Sequence, residues 1–237
     1  MVAGPAIANR QELGTQFRQQ PLEPARSDRP APRSGTREAV THPLITTFFN
    51  HVHTRVATTL HELEAAAELV RRRYSWRGYD CAHIGGETDE LTLMTSDRDK
   101  PAGTLTLRPD GEIGLQADVG FRRELDAARR QGHRLGEVTR LAVEAESDSK
   151  AVLASLFYVG QWIFRFHNGV TRVVIEVNPR HVVFYRRALG FALASGERTC
   201  ERVGAPAVLL SAPIDVISQR AAAFRDRVLT SVAPAPV

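Results

Sequence analysis

The chain has 237 residues, 43% hydrophobic and 24% charged, and its mean hydropathy of -0.24 excludes a wholly disordered or fibrous protein. Only Lys100 and Lys150 are lysines among its 31 basic residues, and the pI near 9.5 suits an acidic partner: nucleic acid, a lipid surface or an acidic protein. Neither a bilayer-spanning stretch nor a secretory signal is recognisable, so we expect a cytoplasmic protein and leave peripheral membrane contact open.

The chain divides by composition into an arm, a domain and a tail. Residues 1–41 are rich in proline and arginine without periodic apolar positions, which predicts a disordered arm. Residues 42–230 form the predicted domain, and 231–237 a short tail. The two cysteines and eight histidines show no metal-ligand spacing, so we expect no metal site.

Hydrophobic periodicity and turn residues predict the elements of the domain. In chain order they are a strand at 52–59, a helix at 60–74, strands at 90–95 and 103–107, a helix at 121–130, a strand at 137–143, a helix from 148 or 149 to 167, a strand at 171–177, a helix at 179–189, a strand at 207–211 and a helix at 215–229. Gly190 is the predicted C-cap of the helix at 179–189. The β-branched run at 171–177 indicates a central strand covered on both faces. This order predicts a mixed α/β domain.

Three motifs in the second half of the chain carry a resemblance to a known fold. Residues 140–143 read Arg-Leu-Ala-Val, residues 173–178 read Val-Val-Ile-Glu-Val-Asn, and residues 181–191 read His-Val-Val-Phe-Tyr-Arg-Arg-Ala-Leu-Gly-Phe. In this order they resemble the GNAT acyltransferase fold, over about residues 50–212. The resemblance implies a central, mostly antiparallel sheet with one splayed parallel pair, flanked by helices.

The turn after the strand at 137–143 differs from that of GNAT enzymes that use coenzyme A. Those enzymes place glycines there, and backbone N–H groups at a helix N-terminus hold the pyrophosphate. Here residues 144–150 read Glu-Ala-Glu-Ser-Asp-Ser-Lys, with three acids and no glycine. The sequence therefore predicts a poor pyrophosphate site.

Four further segments resemble the N-acyl amino acid synthases, relatives of the acyl-homoserine-lactone synthases. They are residues 132–143, Arg73-Tyr74, Arg77-Gly78-Tyr79 and Asp89-Glu90. The resemblance implies transfer of a long acyl chain from the phosphopantetheine of acyl carrier protein to the amine of an amino acid. Acyl-coenzyme A is the less favoured donor, and no tightly bound cofactor is expected.

The helix at 121–130 is the predicted docking surface for the acidic carrier protein. Arginines can bind its carboxylates and phosphoserine, whereas an ordinary solvated face is the alternative. The arginines that share one side of this helix are Arg122, Arg123, Arg129 and Arg130.

Glu137 and Arg140 are the first catalytic candidates. The resemblance implies that Glu137 helps to deprotonate the attacking amine, which must lose a proton before it attacks a thioester. The alternative is a structural ion pair between Glu137 and an arginine such as Arg140. Arg140 would orient Glu137, bind the substrate carboxylate or form a plain salt bridge.

The remaining candidates concern the acyl donor. Backbone N–H groups of Ala142 and Val143, next to Leu141, are expected to polarise the thioester carbonyl. Ser149 and Lys150, at the start of the following helix, are further donor-binding candidates. Tyr185 stands where the resemblance implies a proton donor to the leaving thiolate, and an aromatic of the core is the alternative.

Three other functions remain open from the sequence. A coenzyme-A-dependent N-acetyltransferase uses the same fold, and a catalytically inactive GNAT module would bind a partner protein. The arginine-rich arm suggests nucleic-acid binding, but the ordered region has no recognised binding motif and its aromatic residues lie within apolar runs. We therefore expect no nucleic-acid partner.

Overall fold

The computed structural model describes residues 47–49, 51–75 and 90–232. The predicted arm at 1–41, the segment 76–89 and residues 233–237 lie outside these ranges. The strands are β1 (Thr47–Phe49), β2 (Val52–Val56), β3 (Leu91–Asp97), β4 (Lys100–Pro109), β5 (Leu135–Val143), β6 (Arg172–Val177), β7 (Ala192–Leu193), β8 (Arg198–Cys200) and β9 (Ala205–Pro213). The α-helices are α1 (Leu60–Ser75), α2 (Asp118–Arg130), α3 (Ser149–Trp162), α4 (Val182–Leu189) and α5 (Ile214–Val232). A π-helical turn (Ile163–His167) extends α3, and a 3-10 turn (Pro179–His181) precedes α4.

The strands form one sheet in the order β1-β2-β3-β4-β5-β6-β9-β7, and β8 also pairs with β9. Within the described ranges, β5 and β6 are the parallel pair and the other neighbours are antiparallel. The predicted mixed α/β architecture, mostly antiparallel with one parallel pair, is confirmed. In these ranges no helix is both long and apolar enough to cross a membrane.

Helices cover both faces of the sheet. On one face α2 packs on β5, β6 and β9, through Phe121, Leu125, Leu135, Val174 and Leu209. On the same face α1 packs on Met94 of β3 and Ala142 of β5. On the opposite face α3 and α5 pack in the main core, which includes Val152, Leu156, Val173, Ile175, Leu210 and Ile217. Because successive residues of a strand face opposite sides, the apolar run of β6 fills both layers, as the sequence predicts.

Two irregularities of β5 shape the centre of the sheet. Its parallel pairing with β6 runs from Leu135 opposite Arg172 to Glu137 opposite Val174, and the strands diverge beyond it. Farther along, Thr139 pairs with Thr106 and Ala142 with Thr104, so Arg140 and Leu141 face the single residue between them on β4. This is a β-bulge, and Arg140 adopts φ 53° in it. The bulge and the splay lie next to each other on β5.

A capping box fixes where β2 gives way to α1. Thr59 Oγ1 accepts the N–H of Glu62, and Glu62 Oε2 accepts the N–H groups of Thr58 and Thr59. Burial raises the pKa of Glu62, but these bonds and Arg55 outweigh burial and lower the pKa to about 2. The predicted strand at 52–59 therefore ends earlier, at Val56.

Other boundaries also differ from the predictions. Helix α2 starts at Asp118, three residues before Phe121, whose own φ of -134° marks a kink. The short strands β1, β7 and β8 were not predicted, because two or three residues are too few to show a period of two. Gly190 is the predicted C-cap, and its φ of 76° requires the freedom of glycine.

Candidate active site

Glu137 occupies the last paired position of β5 and β6, and it is fully buried. The backbone N–H of Gln116 donates to its Oε2 at 2.6 Å, and the N–H of Ala117 donates to its Oε1 at 3.2 Å. Both residues immediately precede α2, where N–H groups lack intrahelical acceptors. Main-chain groups from another element therefore fix the orientation of this carboxylate.

Burial raises the pKa of Glu137 from 4.5 to about 7, and the negative charge of Glu176 adds to this shift. The positive charge of Arg202 and the N–H groups of Ala117 and Gln116 act in the opposite direction. A carboxyl group that exchanges its proton near neutral pH suits general-base catalysis.

Arg202, in the turn between β8 and β9, binds two residues that lie near Glu137. Arg202 donates to Glu176 Oε2 at 2.5 Å and to Gln116 Oε1 at 2.6 Å. Glu176 lies on β6 two residues after Val174, the register partner of Glu137, so both glutamates face the α2 side. Cys200 lies beside Glu176, and burial, together with that carboxylate, raises the pKa of its thiol.

Arg140 is bound to Glu90 instead of the predicted partner Glu137. Its Nη1 donates to Glu90 Oε2 at 2.6 Å, while Arg108 Nη1 donates to Glu90 Oε1 at 3.2 Å. Gln116 Nε2 also donates to Glu90 Oε1, at 3.2 Å. Gln116 therefore joins the Glu90 cluster to the Glu137 carboxylate, and these groups connect Arg140 with Glu137.

One of the two predicted carbonyl-polarising N–H groups points toward the splay. Glu144 donates its N–H to Ala102 of β4, so Ala142, two residues earlier, also directs its N–H toward β4. The N–H of Val143 points the other way, to the edge where β5 and β6 separate. The carbonyl of Leu141 accepts the hydroxyl of Tyr74 at 3.0 Å, which ties the bulge to α1. Of the two groups, Val143 is the better placed.

An apolar cavity of about 40 Å³ lies on the other side of the sheet from Glu137. Val138 and Leu141 of β5, Ile175 of β6 and Gly160 of α3 border it. Its remaining lining residues are Leu105, Leu107, Phe157, Gln161, Phe164, Val173, Tyr185, Leu189, Phe191 and Ile217. Since the cavity and the carboxylate flank the same splayed strands, a thioester placed in the splay would have its chain on one side and a base on the other.

Tyr185 of α4 lines this cavity. Burial raises the pKa of its phenol to about 12, so the hydroxyl keeps its proton at neutral pH. Its ring packs edge-on against Phe184 and Phe191, at centroid distances of 5.1 and 6.1 Å. The residue combines a packing role with a hydroxyl that is protonated at the pH of catalysis, and its part in proton transfer stays a prediction.

The start of α3, where Ser149 and Lys150 lie exposed, carries negative charge. Asp148, one of the two residues at which the sequence predicts the start of this helix, is the N-cap and accepts the N–H of Ala151 at 3.2 Å. Its own N–H donates to Asp97, and Glu144 before it is paired with Arg72, which lowers the pKa of that carboxyl. Acidic side chains therefore occupy the helix end at which a pyrophosphate would need N–H groups and positive charge.

The four arginines predicted on one side of α2 have different environments. Arg122, Arg123 and Arg130 are exposed. Arg129 differs from the prediction, because its guanidinium binds Asp110, Asp118 and Asp126 at 2.7, 2.7 and 2.8 Å. It holds α2 to the preceding loop, so we withdraw it from the predicted docking surface.

Gln116, Glu176 and Arg202 were not identified as a unit from the sequence, although Glu176 belongs to the motif at residues 173–178. Gln116 and Arg202 are 86 residues apart and lie outside any strand or helix. Their loops carry no motif, and the fold alone brings them together. Within the described ranges, no group of three or more His, Cys, Asp or Glu residues could hold a metal ion.

Comparison with known proteins agrees with this geometry. The sequence profile of the family described as "N-acyl amino acid synthase FeeM" matches residues 65–213. A comparison with curated proteins finds no match. The solved structure of FeeM, an N-acyl amino acid synthase from uncultured soil microbes, is similar with a TM-score of 0.62 and 24% identity, covering 69% of this chain and 90% of that one.

Two further structures share the fold. The AHL synthase LasI has a TM-score of 0.53 and 12% identity, with 72% of this chain and 97% of that one covered. A putative N-acetyltransferase from Lactobacillus plantarum has a TM-score of 0.50 and 16% identity, with 70% and 99% covered. Since the profile spans well over half of the sequence and both sides of the splay, the protein is an N-acyltransferase that belongs to the FeeM family of N-acyl amino acid synthases.

Proposed function

We propose that the protein transfers a long acyl group from the phosphopantetheine thioester of acyl carrier protein to the amine of an amino acid. The observation that carries this proposal is the position of Glu137, a buried carboxyl with a pKa near 7, across the splay from an apolar cavity. The base faces the side from which an amine would arrive, and the apolar lining of the cavity suits the first carbons of a hydrocarbon chain.

The reaction is a direct attack within a ternary complex. Glu137 accepts a proton as the amine nitrogen bonds to the thioester carbon, and the N–H of Val143 donates to the developing oxyanion. The C–S bond then breaks and the thiolate leaves with a proton, for which the Tyr185 hydroxyl is the proposed donor. Arg140 acts through Glu90 and Gln116 to position the carboxylate.

The acidic start of α3 supports a carrier-protein donor over coenzyme A. The pyrophosphate of coenzyme A would meet Asp148, Asp97 and Glu144 there, whereas the arm of a carrier protein ends in a single phosphodiester outside the splay. Ser149 and Lys150 are exposed beside this site, where they are available to that phosphodiester.

Two arginine surfaces are available to an acidic carrier protein. One is the predicted surface of α2, reduced to Arg122, Arg123 and Arg130. The other is α4 with the turn before it, where the outer side exposes Arg180, Phe184 and Arg187 while the inner side lines the cavity. Both offer the charge that such a partner requires.

Purified protein incubated with acyl carrier protein or coenzyme A thioesters and a mixture of amino acids tests this proposal. We expect mass spectrometry to detect N-acyl amino acids, formed faster with the carrier-protein donor at equal concentration. Faster turnover with acyl-coenzyme A would mean that coenzyme A, and not acyl carrier protein, carries the acyl group to this enzyme. Absence of any N-acyl product with several carrier proteins would overturn the proposal and favour a partner-binding module.

A further inference from the structure

Arg202 lies in the turn between β8 and β9 and reaches across the α2 side of the sheet toward Glu137. Its charge affects Glu137, and its two terminal nitrogens bind Glu176 and Gln116. Gln116 in turn donates its N–H to Glu137 at 2.6 Å. A guanidinium and two glutamates therefore lie together at the end of the splay.

Solvent exposure separates Arg202 from the other arginines of this network. The side chain of Arg202 is 41% exposed, whereas those of Arg140 and Arg108 are 15% and 6% exposed and both hold Glu90. Glu176, the partner of Arg202, is 9% exposed. An incoming anion can reach Arg202 from solvent without disturbing the Glu90 cluster.

The arrangement is complementary to an α-amino acid. An ammonium or amine group and a carboxylate on one carbon need a negative group and a guanidinium side by side, and a guanidinium binds a carboxylate with two parallel hydrogen bonds. Glu137 and Glu176 offer the negative groups, and Arg202 offers the guanidinium. In the free protein the guanidinium of Arg202 donates hydrogen bonds to Glu176 and Gln116, and these bonds hold it in place before the substrate binds.

We infer that Arg202 binds the carboxylate of the acceptor and makes the enzyme select α-amino acids over amines that lack a carboxylate. This inference rests on the proposed function and assigns to Arg202 the carboxylate-binding role that the sequence offered to Arg140. Polyamines, whose charges are all positive, are disfavoured by the same guanidinium.

The test compares each amino acid with its primary amide, for example phenylalanine with phenylalaninamide, which has nearly the same shape but no negative charge. The ratio of the two kcat/KM values is measured for the wild type, Arg202→Gln and Arg202→Lys. The matched control is Arg198→Gln, since Arg198 is a similarly exposed arginine of the same hairpin that binds Glu124. All rates are taken near pH 9, well above the pKa of about 7 that Glu137 has with Arg202 in place.

We expect Arg202→Gln to raise KM for the amino acid about ten- to hundredfold more than KM for the amide, because a charge-assisted hydrogen bond is lost only with the amino acid. Arg202→Lys should restore part of the preference and Arg198→Gln should retain all of it. Equal losses with both acceptors would overturn the inference and make Arg202 a positioning residue.

The wild type alone also provides a test that needs no variant to fold. An equal rate with amino acid and amide would overturn the inference while the proposed acyl transfer stands. Failure of the wild type to acylate either acceptor is the separate result that overturns the proposed function itself.

Discussion

Gln116 and Glu137 are joined by a backbone-to-carboxylate hydrogen bond of 2.6 Å that crosses from the turn before α2 to the centre of the sheet. The position of the proposed base thus depends on the docking of α2. Arg129, in the last turn of this helix, binds Asp118 at its start and Asp110 in the loop before it. We therefore expect changes at Arg129 to affect the carboxylate.

Glu137→Gln should lower kcat about a hundredfold or more, because general-base catalysis typically contributes 10² to 10⁴. The amide oxygen still accepts one of the two N–H groups, so thermal unfolding should show a folded protein. Steady-state kinetics with the carrier-protein donor provides the measurement. A folded variant with the wild-type rate would eliminate Glu137 as the base.

The pH dependence of kcat/KM should also report the ionisation of Glu137. Because the pKa of Glu137 is raised to about 7 in the folded protein, kcat/KM should rise with pH through about 7 and level off above it. This acidic limb should be missing from the residual activity of Glu137→Gln. A wild-type rate that is flat between pH 5.5 and 8, a range spanning the pKa, would contradict the assignment.

Glu137 should also affect stability with a definite sign. The unfolded carboxyl ionises near 4.5 and the folded one near 7, so the folded state binds more protons between these values. Its contribution to the free energy of unfolding is therefore lost as pH rises from about 4.5 to about 7. Urea unfolding across this range should show a smaller decline for Glu137→Gln than for the wild type, and parallel curves would refute the shift.

Arg129→Ala should destabilise the protein by about 2 kcal/mol, since three carboxylates lose one shared, partly buried partner. Burial raises the pKa of Asp118, but Arg129 outweighs burial and helps to lower that pKa below its usual value. The destabilisation caused by Arg129→Ala should therefore diminish as the pH falls and the acids are protonated. The matched controls are Arg122→Ala and Arg130→Ala, exposed positions on the same helix where effects within about 0.5 kcal/mol are expected. Equal effects at all three arginines in urea unfolding would show that the cluster has no special role.

Gly160→Ala should shorten the acyl chain that the enzyme prefers. A Cβ at this position would lie 3.1 Å from Leu105 Cδ2 at the wall of the cavity. One added methyl group displaces about one methylene of substrate, so kcat/KM for the longest chains should fall about fourfold relative to short ones. Gly196→Ala is the matched control, because Gly196 is exposed and a Cβ there would meet no atom within 4 Å. An unchanged chain-length profile would place the acyl chain elsewhere.

Charge reversal can identify the surface on which the carrier protein docks. The pair Arg122→Glu and Arg123→Glu tests α2, the pair Arg180→Glu and Arg187→Glu tests α4, and the pair Arg220→Glu and Arg227→Glu on α5 is the control. The docking pair should raise KM for the carrier-protein donor about tenfold or more and reduce its salt dependence, because screened contacts are lost.

A small acyl thioester without the carrier protein should react equally well with the wild type and each pair. If a pair lost activity equally with both donors, its arginines would serve folding or the acyl cavity. If none of the three pairs changed the donor KM, docking on α2 and on α4 would both be refuted.

The sequence predicted the parts of the fold that follow from local chemistry. The β-branched run of β6, Asp148 as N-cap and Gly190 as C-cap depend on residues that are close in the chain. The family resemblance predicted a functional role for Glu137. The backbone N–H that binds its carboxylate, by contrast, belongs to a turn 21 residues earlier in the chain and could not be predicted from the strand.

Backbone conformations that a residue type seldom adopts were not predicted either. Arg140 has a positive φ, which an arginine seldom adopts, and no glycine or asparagine marks the bulge. Arg202 lies between the predicted helix at 179–189 and the predicted strand at 207–211, where the sequence predicts no element. Pairing between β4 and β5, and between β8 and β9, places these two residues, and such pairing depends on the whole sheet.

The bulge at Arg140 and Leu141 has a consequence for insertions and deletions. Because Arg140 and Leu141 together face one residue of β4, removing Arg140 would leave one residue opposite one and restore regular alternation from Thr139 to Val143. Leu141 would still face the cavity and Ala142 would still face α1, so the two layers of the core would keep their residues. One residue added to the regular part of β5 would instead exchange the two faces of everything after it. Deletion of Arg140 therefore removes the bulge and the ion pair with Glu90 without reversing the strand, whereas an insertion between Gly136 and Thr139 would reverse it.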